Sequence, residues 1–335
     1  MPLTISVDAM GGHLGPSIVV AAIKETLRSH PHVRFLLCGD KDILNTEIAN
    51  DLQENQRSRI EIRHSASIVD GNDKPSSIIR SKADSSMADA IRALAEGEAD
   101  ACVSGGNTGA LMALGLFLLG LLPSISRPAI CSEIPTQNGT SLVLDLGANI
   151  DCSAEQLLQF ARLGALTVQY LNSISSPTIK LLNIGSEPSK GSTAIKQAAE
   201  LLHANSQLNY QGYIEGHGLF AGEADVIVCD GFSGNIALKA SEGTANLIGH
   251  RVAQFFNQGW RSKLAGALLG NSLSELSSSI QPKLYNGAYL LGLRGVIIKS
   301  HGGADQQAFV AALNSAIVAS QHQLPSRLAA TLDNK

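Results

Sequence analysis

Short β-branched and apolar runs alternate along the chain with longer stretches of helical periodicity. Thr4–Asp8, Val33–Cys38, Ile60–Arg63, Ala101–Ser104, Ile179–Leu182 and Val226–Cys229 read as strands. Pro16–Arg28, Ser76–Ala95, Gly109–Leu121, Ala154–Leu171 and Ser192–Leu202 read as helices. Such alternation needs crossover connections, which predicts a mainly parallel sheet covered on both faces. One segment departs from it. Ala129–Ile134 and Ser141–Leu144 flank Gln137-Asn138-Gly139, a hairpin signal because Asn and Gly both tolerate positive φ. The expected class is therefore α/β: a Rossmann-like, mainly parallel sheet with an added antiparallel hairpin.

No internal repeat or low-complexity linker divides the chain. Residues 1–330 read as one large α/β domain, or as two lobes, with a helical element at about 245–285 and a loose tail at 331–335. The longest apolar stretch, Ala110 to Leu122, is shorter than the roughly 20 residues a membrane span needs, and a buried helix is expected there. The first residues enter a strand at once and carry no signal-peptide pattern, so a cytoplasmic location is expected.

Composition narrows the chemistry. Charged residues are 16% and the hydrophobic set 44% of 335 residues, the balance of a chain that buries a core. Net charge is -4 and aromatics are only 4%, which argues against nucleic acid as a partner. The cysteines Cys38, Cys102, Cys131, Cys152 and Cys229 form no CxxC pair and no zinc-like cluster. They read as small core residues of a reducing compartment.

Glycine, with 32 residues, follows the strands. The strand ends run into Asp8-Ala9-Met10-Gly11-Gly12-His13, Ser104-Gly105-Gly106-Asn107-Thr108-Gly109, Asp145-Leu146-Gly147-Ala148-Asn149, Asn183-Ile184-Gly185-Ser186-Glu187, Asp230-Gly231-Phe232-Ser233-Gly234-Asn235 and Lys299-Ser300-His301-Gly302-Gly303. Glycine lets a backbone approach a ligand closely, and amides at a following helix N-terminus favour an anion. Any one of these turns is equally well a plain tight turn. Six at strand ends point to a phosphate-type anion. None fits GxGxxG or the P-loop pattern, which disfavours a nucleotide cofactor. Asp8, Asp145, Asp151 and Asp230 lie near strand ends, yet no metal-ligand spacing supports them, and no metal is expected. No Ser-His-Asp or Cys-His arrangement stands out, and Gly231-Phe232-Ser233-Gly234 is one residue short of a nucleophile elbow. The nucleophile is then expected to come from a substrate.

Taken together, Asp8–Gly12, Ser85-Ser86-Met87, Ser104–Met112, Arg127-Pro128-Ala129, Leu144–Asn149 with Asp151-Cys152, Asn183–Glu187 with Lys190-Gly191, Cys229–Asn235 with Ala237–Gly243, and Tyr285-Asn286-Gly287-Ala288 through Lys299–Gly302 resemble the phosphate acyltransferases. The strings are collinear over nearly the whole chain and specific as a set. One departure is His13, where that family usually carries Asp. The resemblance implies an isocitrate/isopropylmalate-dehydrogenase-like fold shared with phosphotransacetylases, a homodimer, and no metal or nucleotide cofactor. It implies conversion of acyl-[acyl carrier protein] and inorganic phosphate to acyl phosphate. It also implies peripheral membrane association beside a membrane glycerol-3-phosphate acyltransferase that uses the product.

Residue expectations follow. Lys190, Asn235 and His301 are candidate catalytic groups. Asp8, Gly11, Gly12, Ser104, Asn107, Thr108, Asn149, Gly185, Ser233, Gly234 and Lys299 are candidate phosphate-site residues. Helical spacing of Val252, Phe255, Phe256, Trp260, Leu264 and Leu268, with Arg251, Arg261 and Lys263 beside them, marks a membrane or partner surface or a dimer interface. The competing readings are a phosphotransacetylase acting on acyl-CoA, a metal- and NAD-dependent dehydrogenase of the same fold, and a non-catalytic acyl-carrier or lipid-binding scaffold.

Overall fold

A computed structural model describes residues 2–73, 75–259, 261–262, 264, 269–270 and 286–333. The elements run β1 (Leu3–Asp8), α1 (Pro16–Ser29), β2 (Val33–Gly39), α2 (Lys41–Asp51), α3 (Glu54–Arg57), β3 (Ile60–His64), α4 (Pro75–Ser81), α5 (Ser86–Ala95), β4 (Ala101–Ser104) and α6 (Thr108–Leu119). They continue with β5 (Ala129–Thr136), β6 (Gly139–Leu144), α7 (Ala154–Asn172), β7 (Thr178–Leu182), α8 (Thr193–Ala204), β8 (Asn209–Ile214), β9 (Val226–Val228) and α9 (Gly231–Asn257). Last come β10 (Ala288–Leu291), β11 (Val296–Lys299), α10 (Gln306–Gln321) and α11 (Leu324–Asp333).

The strands form one 11-stranded sheet in the order β3-β2-β1-β4-β11-β10-β5-β6-β9-β7-β8. The expected α/β class and the antiparallel hairpin are both present. In β5–β6, Thr136 pairs with Gly139, so Gln137 and Asn138 form the two-residue turn. Central strands carry apolar residues on both faces because helices cover both. Ile5 and Val7 of β1 face a core shared with α1, α7, α8, α10 and α11. Cys38, Cys102 and Ile297 face a second core under α4, α5 and α6, where Ala237 and Leu238 of α9 also pack.

Strand direction has a consequence for the site. β1, β2, β3, β4 and β11 are parallel. Then β10 reverses against β11, β5 against β10, and β6 against β5. β6, β9, β7 and β8 are parallel to one another. After three reversals, this second group runs opposite to the first, but the register carries Val7 through Val103, Ile298, Tyr289 and Cys131 to Leu144 on one rung, so the carboxyl ends of both groups stop at the same level of the sheet.

Local sequence explains other differences from expectation. The single helix predicted over Ser76–Ala95 is two, because Ser85 stops the chain and caps α5, its Oγ accepting from Ala88 N at 3.3 Å. The expected loose tail is helical as far as Asp333, since Leu324, Leu328 and Leu332 recur every fourth residue and are buried. The apolar run at Ala110–Leu122 forms α6 but is only half buried, with Phe117 64% exposed. No helix among the described residues is long and apolar enough to cross a membrane.

Candidate functional site

Three glycine turns meet at the carboxyl edge of β1, β4 and β11. Asp8, at the end of β1, is buried, and its carboxylate is surrounded by donors. Ser86 Oγ donates to Oδ1 at 2.6 Å, Gly11 N to Oδ1 at 3.1 Å, and Ser104 Oγ to Oδ2 at 2.7 Å. Burial is the largest influence on this carboxyl and raises it above the usual carboxylate range; the bonds from Ser104, Ser86, Gly11 and Met10 work against burial. The turns press backbone against backbone at Gly11, where a Cβ would stand 2.9 Å from Gly106 N. Gly12 is adjacent, with φ 103, and His13 N donates to Gly302 O at 2.7 Å.

β4 delivers Ser104 and then α6. Asn107 caps that helix, accepting from Ala110 N at 3.0 Å and donating to Gly71 O at 2.8 Å, so its amide is engaged at both ends. Thr108 opens the first turn, whose amides have no intrahelical acceptor; Asn107 takes that of Ala110. β11 delivers Lys299 and His301. Lys299 Nζ lies 3.4 Å from Gly105 O and also donates to Ser300 O. Burial lowers this ammonium from 10.5 to about 8; Asp8 opposes the shift and Lys239 adds to it. His301 is held below its ordinary value, first by burial and then by Lys239. Asn286 fixes the strand end: its Oδ1 accepts from His301 N at 2.8 Å and its Nδ2 donates to Ser300 Oγ at 2.8 Å.

The other candidates gather at the carboxyl ends of β6, β9 and β7. Asp145 is fully buried, and its carboxylate fills its own turn. It accepts from Ile130 N, Gly147 N, Ala148 N and Asn149 N at 2.7–3.2 Å and from Asn149 Nδ2 at 2.9 Å. Asn149 Nδ2 also reaches Pro128 O at 2.8 Å, so Asn149 ties two turns together. Asp230 caps α9, taking Ser233 N at 2.7 Å and Ser233 Oγ at 3.2 Å. Gly234 lies against the Asp145 carbonyl, and Asn235 is exposed beside Gly147. Gly185 is buried under the side chains of Glu187 and Lys190, while Lys190 is exposed.

The six turns thus form two sets of three, on strands of opposite direction whose carboxyl ends are level with one another across the middle of the sheet. One helix links the sets. α9 begins at the carboxyl end of β9 with Ser233, Gly234 and Asn235. Four residues, or about 6 Å, farther along its axis it carries Lys239, whose charge acts on both Lys299 and His301. Sequence reading did not single out Lys239, which looks like any exposed helical lysine. Ser86 and Asn286 lay within matched strings, but only the fold shows what they hold.

The remaining candidates are on or beyond α9. The helix runs without a break from Gly231 to Asn257, so the segment expected from about residue 245 begins inside it. Phe255 is 62% exposed and meets Phe256 edge to face, with ring centroids 5.6 Å apart. Leu264 is 55% exposed, and Arg261 is also exposed. Trp260, Lys263 and Leu268 lie outside the described residues.

No cysteine is an activated thiol. Burial pushes Cys38 and Cys152 up to about 12 and raises Cys102, Cys131 and Cys229 well above the ordinary value. Ser86 and Ser104 donate to Asp8, Ser233 donates to Asp230, and Ser300 accepts from Asn286; none of these bonds is to an imidazole. What the turns offer is cations, amides and helix starts.

Comparison with known proteins agrees. The family model described as fatty acid synthesis protein matches residues 3–327. A phosphate acyltransferase of Halorhodospira halophila is 46% identical over 331 residues, covering 99% of this chain and 96% of its own length. One of Pseudomonas syringae pv. syringae is 45% identical over 329 residues, covering 98% and 96%. Among solved structures, a phosphotransacetylase from Streptococcus pyogenes has the same fold, with a TM-score of 0.62 at 17% identity over 96% of this chain and 94% of that one. By family pattern and by identity over nearly its whole length, this chain belongs to the fatty acid synthesis protein family, among the phosphate acyltransferases.

Proposed function

We propose that the protein transfers a fatty acyl group from acyl carrier protein to inorganic phosphate, releasing acyl phosphate and the free carrier thiol. One observation carries the reading: the strand ends gather cations and amides, while their own serines are bonded to carboxylates or amides and the cysteines are held as thiols. Phosphate is already an anion at neutral pH, so it can attack the thioester carbonyl directly once it is held. Catalysis then rests on positioning phosphate and on stabilising the oxyanion that forms.

In this reading Lys190 and Asn235, exposed at the carboxyl ends of β7 and β9, meet the oxyanion and phosphate. Lys299, Thr108 and the turns at Gly11-Gly12 and Ser104–Gly106 receive an anion at the carboxyl ends of β1, β4 and β11. His301, beside Lys299, gives the departing thiolate its proton. The exposed apolar run Leu247, Ile248, Val252 and Phe255 on α9 is the surface for a membrane or a second copy of the chain. That surface would deliver acyl phosphate to the membrane enzyme that uses it.

The test is an assay of purified protein with acyl-[acyl carrier protein] or acyl-CoA, with and without phosphate, following free thiol and acyl phosphate. Phosphate-dependent release of both from the carrier-protein thioester is expected. Turnover with acyl-CoA alone would move the assignment to a phosphotransacetylase, and binding without turnover would make the protein a scaffold.

A further inference from the structure

Asp8, Ser104 and Lys299 stand on one rung of the sheet. Register pairs Asp8 of β1 with Ser104 of β4, and Ser104 with Lys299 of β11. Paired residues of parallel strands project from the same face, with about 4.8 Å between neighbouring strands. The Ser104 hydroxyl therefore stands between a buried carboxylate and a half-buried ammonium, and it bridges the carboxylate to the Gly106 amide. Its Oγ accepts from Gly106 N at 3.0 Å, which commits its own proton to Asp8 Oδ2. Asp8 accepts from Ser86 and Gly11 as well, so its charge also holds α5 and the first glycine turn. Lys299 donates to Gly105 O and Ser300 O at the lip of the same turn.

The charges around Lys299 are unequal. Asp8 favours the ammonium, while burial and Lys239 of α9 oppose it. Glu242, which pairs with Lys239 at 2.7 Å, and His13, at the end of the first turn, act on the neighbouring His301. On the far side of Asp8, Cys38 of β2 feels Asp89 of α5 and Arg63 of β3, and Arg63 itself is paired with Glu98. Asp8 is thus the favourable charge facing Lys299 from within the sheet.

We propose that Asp8 is a positioning residue which, through the Ser104 hydroxyl, fixes the Gly105–Gly106 turn and keeps Lys299 a cation able to receive the phosphate. The proposal rests on the acyl transfer reading for its substrate. Its chemistry is that of any dianionic phosphate held by an ammonium that burial would otherwise neutralise. A neutral amine at residue 299 has no charge to offer, so losing Asp8 should weaken phosphate more than acyl donor.

The experiment is a double-mutant cycle of Asp8→Asn and Lys299→Arg, read by phosphate binding in calorimetry and by the pH profile of kcat/KM for phosphate. Asn keeps the shape of Asp8 and removes its charge. In the wild-type background, Asp8→Asn is expected to weaken phosphate about twofold at pH 7 and about tenfold near pH 9. The alkaline limb of the profile should move down by about one pH unit, with a smaller effect on KM for the acyl donor. Arg stays charged at any working pH, so Asp8→Asn should cost far less phosphate affinity when residue 299 is Arg. Equal losses in both backgrounds, or an unmoved alkaline limb, would overturn the proposal and leave Asp8 a purely structural group. If Asp8→Asn does not fold, Ser104→Ala breaks the bridge and should shift the limb the same way; an unshifted limb there overturns it equally. Calorimetry reads phosphate without turnover, so the outcome stays distinct from a failure of the acyl transfer assay.

Discussion

A Cβ on residue 234 would stand 1.9 Å from the carbonyl oxygen of Asp145, so Gly234 lets the first turn of α9 rest on the turn after β6. No rotamer relieves that contact, because both sides are backbone. Gly234→Ala is expected to destabilise the protein by at least about 1–3 kcal/mol, the usual cost of overpacking. Gly243, farther along the same helix, has open space where its Cβ would be. Gly243→Ala should stabilise α9 by about 0.5–1 kcal/mol from helix propensity alone. Urea midpoints of the two variants should move in opposite directions.

Lys190→Ala and Asn235→Ala test the turns after β7 and β9. Both side chains are exposed, so far-UV circular dichroism and melting temperature should stay near wild type. Acyl-phosphate formation should fall by about 10²–10³, as for loss of an oxyanion or phosphate donor. A folded variant with near-normal turnover would remove its residue from the mechanism.

Lys299 gives a pH-dependent prediction for stability. Its ammonium falls from 10.5 in the open chain to about 8 in the fold. Between those values the unfolded chain binds more protons than the folded one, so the fold gains stability as pH rises through the window. Below pH 8 the cost of the buried charge is fully present. Lys299→Met should therefore be the more stable protein at pH 7, by up to about 3 kcal/mol and less as solvent screens the charge. That advantage should shrink as pH approaches 10.5, and turnover should be lost at every pH. Urea denaturation of both proteins at pH 7 and pH 10 checks it.

Phe255→Glu tests the apolar face of α9. Placing a charge on this 62% exposed ring should reduce cosedimentation with anionic vesicles severalfold and leave melting temperature unchanged. If vesicle binding stays the same while sedimentation shows loss of a dimer, the face belongs to a second copy of the chain.

The strands most readable in the sequence are those buried on both faces. β1, β2, β4 and β9 are short, mostly apolar runs, and the expected spans match them within a few residues. β8, with Asn209, Gln211 and Gly212, is a polar edge strand and carries no such signal. β10 has only four residues and is defined by its neighbours β5 and β11 rather than by its own pattern. The turns were legible because glycine and asparagine leave few alternatives, but their grouping was not. Strand direction and register depend on which distant strands pair, and three reversals around β10 and β5 set the turns at Asp145 and Asp230 on strands that run against β1 yet end level with it. Within the turns, the fold also shows that Asn107 and Asn149 spend their amides on neighbouring backbone.

The place of β10 and β11 in the sheet has a further consequence, in the order of synthesis. These strands are the last of the 11 to leave the ribosome, yet they lie in the middle. They form a seam between the half-sheet β3-β2-β1-β4 and the half-sheet β5-β6-β9-β7-β8. Until residue 299 is available, a nascent chain carries two half-sheets with open inner edges at β4 and β5, the kind of surface that invites wrong pairing and chaperone capture. Lys299 and His301 arrive with the seam itself. The segment that closes the sheet also completes one edge of the site, so a chain stalled before it has neither.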